Sequence, residues 1–124
     1  MEPVAVWVCG AGLLTLGLLI HFLCRQAGNG DLGRNAAIGI RTRATMSSDA
    51  AWNAGHAAAI PLLRATYLTA YATGAITGVL ALAVPLGGIR APAIIAVPLC
   101  ALATVVMLLS VASSRANAAA RTTA

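Results

Sequence analysis

Charge is absent from three apolar runs of the chain, Val4 to Leu23, Ala65 to Leu86 and Ala93 to Ser113, whose only polar side chains near their middles are Thr, Ser and Tyr. A helix of that kind offers no side to water, and about 20 residues at a rise of roughly 1.5 Å cover the ~30 Å hydrocarbon core of a bilayer. The pattern predicts an all-α integral membrane protein, one membrane domain over 1–124 with three transmembrane helices at about 4–24, 62–86 and 92–113. The first run is too long, and its Met1-Glu2-Pro3 start too poor in basic residues, for a cleaved signal peptide.

The segments between these runs differ in character. Residues 25–48 are rich in Arg, Gly, Asn, Ser and Thr and read as one long loop, whereas Gly87 to Pro92 reads as a turn. Residues 49–60 read as a separate interfacial helix before the second span, with Ser47-Ser48 offering an N-cap and Asp49 in the first turn. At 100° per residue, Asp49, Trp52, Asn53 and His56 fall on one face and Ala50, Ala51, Ala54, Ala57 and Ala58 on the other. Pro61 removes a backbone donor and disfavours helix at Ile60, which predicts a kink or break there. The tail from Ser114 is expected to fray.

Composition narrows the class. With 60% apolar and 9% charged residues the 124-residue chain has too little polar surface for a soluble domain and too little charge for a disordered one. All eight basic residues are Arg, and against three acids they give +5. Because they sit between apolar runs, they read as topology signals and as contacts for anionic membrane lipids rather than as a nucleic-acid surface. Five (Arg25, Arg34, Arg41, Arg43 and Arg64) fall in the first linker, Arg90 in the turn, and Arg115 and Arg121 in the tail. Cytoplasmic loops retain Arg, so the expected topology is that of a multi-pass protein of the bacterial cytoplasmic membrane, N-terminus outside and C-terminus cytoplasmic.

Cys9, Cys24 and Cys100 are odd in number and lie in or beside apolar runs, so they read as packing residues. No C-x-x-C or H-x-x-x-H pair offers a metal site, and no metal, cofactor or catalytic residue is expected. The spans carry no acidic or basic residue in their middles, which argues against an ion-coupled carrier. Gly74 and Gly78 form a G-x-x-x-G ridge, extended by Ala70 and Thr66, for close helix packing within the chain or in a homo-oligomer.

The densest chemistry is Asn35-Ala36-Ala37-Ile38-Gly39-Ile40-Arg41-Thr42, followed by Thr45, Ser48, Trp52 and His56. Gly39 between branched residues suggests a close backbone approach or a positive φ. Arg41 offers a five-donor fork for phosphate or carboxylate, or else pairs with Asp49 or caps carbonyls. Trp52 reads first as an interfacial anchor, and His56 as a structural hydrogen-bonding residue ahead of a pH switch or a base. Asn35, Gly39, Arg41, Thr42, Trp52 and His56 are the candidate residues for a ligand or a lipid head group.

The run N-x-x-I-G-I-R-T with T-x-x-S-x-x-x-W-x-x-x-H resembles the signature of the SdpI family of small bacterial membrane proteins, over about Leu14 to Ser113. Members often continue R-T-P, where Arg43 and Ala44 follow here, and the better-known ones carry a further membrane half before the one with the signature. The resemblance implies a non-enzymatic protein with immunity to, or sensing of, a membrane-active peptide toxin. The competing reading is an accessory or scaffold subunit of a larger membrane protein complex. A lipid-processing enzyme using His56 and Arg41 stands well behind both.

Overall fold

In a computed structural model, which describes residues 3–35, 38–83 and 94–123, the chain is helical. Helix α1 spans Pro3–Asn29, a 3₁₀ turn spans Thr45–Ser47, α2 spans Asp49–Ala83 and α3 spans Ala96–Thr123; no strand occurs among the described residues. All three α-helices are long and apolar enough to cross a membrane. Gly10 lies against Thr77, Gly17 against Tyr71 and Gly28 against Ile60, so α1 and α2 run antiparallel. Helix α2 packs along both neighbours, while α1 and α3 meet only slightly.

Packing is inverted relative to a soluble bundle. The fully buried positions of α2 and α3 are mostly small: Ala59, Ala70, Ala81, Ala112, Ala116 and Ala120. Large side chains such as Val8, Leu19, Val79, Val106 and Met107 are more than 60% exposed. In lipid there is no hydrophobic drive to bury Leu or Val, and small residues are what allow backbones to approach. Along α2, buried positions recur at 52, 56, 59, 63, 66, 70, 74, 77 and 81, spacings of three and four that keep one seam inward. Thr66 and Thr77 sit in this seam without cost, because each hydroxyl donates to the carbonyl four residues earlier, Leu62 at 2.6 Å and Thr73 at 2.7 Å.

The seam decides which glycines pack. A Cβ on Gly74 would stand 2.9 Å from Leu14 and 3.3 Å from the Gly10 carbonyl oxygen, whereas one on Gly78 would meet nothing within 4 Å. The ridge therefore serves α1 through Gly74, and Gly78 is not part of the contact within the chain. Thr77 takes the place expected of Gly78, because helical periodicity places 77 rather than 78 on the seam.

The separate helix expected over 49–60 does not form. Residues 49–83 are one helix that passes through Pro61, so the expected break is absent. The carbonyl that Pro61 deprives of its donor belongs to Ala57, and both residues are exposed. On the opposite side Ala59 and Leu63 share one core, and that packing favours continuity. At 35 residues, about 52 Å, α2 is longer than the ~30 Å hydrocarbon thickness of a bilayer. The outer helices are also longer than expected: α1 continues to Asn29, and α3 to Thr123, so the tail is helical rather than frayed. Of the cysteines, Cys24 is buried but Cys100 is exposed. The turn with Arg90 lies outside the described residues.

A loop pinned by Trp52 and His56: the candidate functional site

Helix α1 ends in a glycine cap. Gly30 adopts φ +77°, its N–H donates to the Ala27 carbonyl at 3.3 Å, and the Asp31 N–H donates to Gln26 at 2.9 Å, which satisfies two of the last carbonyls. The chain then turns back towards α2. Asn35 supports this bend at both ends of its amide, with Nδ2 donating to the Gly33 carbonyl and Oδ1 accepting from the Ile38 N–H, each at 2.8 Å.

Helix α2 is capped by Ser48, whose hydroxyl accepts from the Ala51 N–H at 3.0 Å, within the Ser47-Ser48 cap expected from the sequence. One turn inside, Trp52 is 1% exposed and His56 is 2% exposed. Trp52 is thus a buried residue and not an interfacial anchor. Its indole Nε1 donates to the Leu32 carbonyl at 2.8 Å, and His56 Nε2 accepts from the Ile40 N–H at 2.9 Å. Leu32 and Ile40 are thus each held through their own backbone.

The imidazole has one arrangement that fits. A backbone N–H can only donate, so Nε2 carries no proton; Nδ1 lies 2.8 Å from the Trp52 carbonyl, which can only accept, so Nδ1 carries it. His56 is neutral and fully used by the backbone. Gly39, at φ +114°, lies against the edges of the two rings, whose centroids are 4.2 Å apart. A Cβ there would come within 2.7 Å of Trp52 Cη2 and 2.9 Å of His56 Nε2. Gly39 is required on both grounds the sequence raised, close approach and positive φ.

Two threonines close the loop. Thr45, wholly buried, accepts from the Thr42 N–H at 2.8 Å and donates to the Ile40 carbonyl at 2.8 Å, and the Thr42 hydroxyl accepts from the Thr45 N–H at 3.2 Å. Beneath them is Gly55, which sequence reasoning did not single out. A Cβ there would stand 2.9 Å from both the Ala116 carbonyl oxygen and Thr45 Cγ2, so α3 and the loop meet α2 at this point.

The arginines divide by role. Arg34, not Arg41, takes Asp49: Nε is 3.3 Å from Oδ1, and Nη1 donates to the Met46 carbonyl at 3.0 Å. Arg41 is exposed, with no hydrogen bond or ion pair among the described residues. Ile38, 44% exposed, lines a cavity on the flank of α1 with Leu19, Phe22 and Leu23. Every other described residue of the motif is turned inward or partly covered. The structure therefore brings Asn35, Gly39, Thr42, Trp52 and His56 together as one folded unit and leaves Ile38 and Arg41 on its outside.

No curated protein and no solved structure matches the chain. Residues 31–113, from the loop through most of α3, match the SdpI/YfhL protein family. That span contains the whole pinned loop, α2 and most of α3, and the chain belongs to the SdpI/YfhL family.

Proposed function

We propose that the chain is a non-enzymatic SdpI-like protein of the bacterial cytoplasmic membrane that protects against, or senses, a membrane-active peptide. In this reading the loop and the C-terminus face the cytoplasm, in keeping with the Arg distribution. The observation that carries the proposal is the division within the motif: its inward residues fix the loop, and Ile38 and Arg41 are what the loop displays. Ile38 lies beside exposed apolar side chains of α1, and Arg41, three residues on and exposed, adds a fork suited to a carboxylate or phosphate. A peptide entering along the membrane presents both apolar surface and polar termini to such a pair.

The test is survival of bacteria expressing the protein when challenged with membrane-active peptides. The reading requires protection against at least one of them by the wild type and its loss in Arg41→Ala at equal amount in the membrane. A wild type that protects against none contradicts it. The second reading, an accessory subunit of a larger membrane assembly, draws on Gly78, which leaves a flat open spot on α2 for another helix. Co-purification of a stoichiometric larger membrane protein in mild detergent, removed by Gly78→Leu, is the result that would favour it.

A further inference from the structure

A second site lies apart from the pinned loop. On the flank where α1 and α2 face each other, a cavity of about 320 Å³ is lined by His21 and Arg25 from α1 and by Arg64 and Tyr67 from α2. Arg25 directly follows the charge-free run of α1 together with Cys24, and Arg64 directly precedes that of α2. The two guanidiniums therefore stand at the same border, where the apolar part of each helix ends.

Neither arginine has an ion pair or hydrogen bond among the described residues, and no carboxylate lines the cavity. Two cations converge on one concave space with no carboxylate among the described residues to neutralise them. The aromatic wall is fixed: the His21 ring stacks on Tyr67 at 4.2 Å and 15°, and its Nδ1 lies 3.0 Å from the Tyr71 hydroxyl. Nε2 of His21 is left without a partner among the described residues.

We propose that this cavity binds a phosphate group of net negative charge, one with no cationic substituent to offset it, with Arg25 and Arg64 as its two cationic walls. Guanidinium forks match phosphate oxygens bidentately, and basic pockets between membrane helices at the head-group level are suited to anionic lipids. Three residues before His21 and four after Arg64, on the same helix faces, Leu18 and Leu68 are 61% and 54% exposed. They offer an apolar track running from the cavity towards the membrane middle, as the chains of a phospholipid require. The site uses none of the loop residues, so it stands or falls independently of the peptide reading.

The experiment is thermal unfolding of the full chain in mild detergent, titrated with phosphatidylglycerol, phosphatidylcholine or inorganic phosphate. A ligand of the folded state raises the midpoint. Phosphatidylglycerol should raise it and phosphatidylcholine should not. Arg25→Gln with Arg64→Gln should raise the half-saturating phosphatidylglycerol concentration on the order of tenfold, while Arg115→Gln leaves it unchanged. A comparable shift with inorganic phosphate alone identifies a free anion as the ligand, and a shift with the lipid alone identifies the head group. The proposal is overturned if neither shifts the wild type, if phosphatidylcholine does as well, or if Arg115→Gln weakens binding as much as the cavity variants. The wild-type titration decides even if a variant fails to fold.

Discussion

The backbone N–H of Ile40 donates to Nε2 of His56 across 2.9 Å, so a side chain of α2 serves as the acceptor for a loop sixteen positions earlier. With Trp52 holding the Leu32 carbonyl one turn away, an i, i+4 pair on a single helix fixes the loop backbone at both Leu32 and Ile40.

Gly39 is the point at which this arrangement tolerates least. Gly39→Ala places a methyl within 2.7 Å of the Trp52 ring at a φ of +114°. The variant should lose about 1–3 kcal/mol of stability, from strain and overpacking together. Thermal unfolding in detergent measures this; a melting temperature equal to wild type contradicts the packing of the loop against Trp52.

Gly74 and Gly78 should behave differently although they share one motif. Gly74→Leu drives bulk into Leu14 and the Gly10 carbonyl and should destabilise the bundle by about 1–3 kcal/mol. Gly78→Leu meets open space and should leave the isolated chain unchanged. Equal effects in a melting experiment would place the second glycine in a contact that the single chain does not make.

At Gly55 an added methyl meets the Ala116 carbonyl, which belongs to a helix backbone and cannot rotate away. Gly55→Ala should loosen the end of α3 from the loop. Cleavage by trypsin after Arg115 and Arg121 should then be faster than in the wild type, and an unchanged rate would contradict the docking of α3 at that point.

The spans were legible because uninterrupted apolar length needs no tertiary information. The Ser48 cap and the demands on Gly39 were also legible, since both follow from local backbone chemistry. The faces of α2 near its start were not. Trp52 and His56 were separable from the alanines by periodicity, but their polar atoms concealed that they point inward, where loop backbone needs partners. Helix breaking at Pro61 followed from a local rule that packing of Ala59 and Leu63 overrides. Asp49 was read as a possible partner of Arg41, but Arg34 reaches it and also donates to the nearby Met46 carbonyl, a placement that local spacing does not give. Gly55 carried no signal, because its constraint comes from Ala116 on a helix 61 residues further on in sequence.

The proposed orientation is tested by impermeant thiol labelling of intact cells, in a background without native cysteine. Gly33→Cys should be protected and Gly88→Cys should be labelled, given five arginines in the first linker against one in the turn. The reverse pattern overturns the assignment.

Amide exchange at Ile40, read by NMR on the full chain in lipid nanodiscs, tests most directly whether the motif is a pinned loop that displays Arg41. In the wild type the Ile40 amide should be protected like those of helix interiors, lose that protection in His56→Leu, and keep it in Arg41→Ala. Exchange of Ile40 at the rate of exposed loop amides in the wild type, or protection that survives His56→Leu, would contradict it.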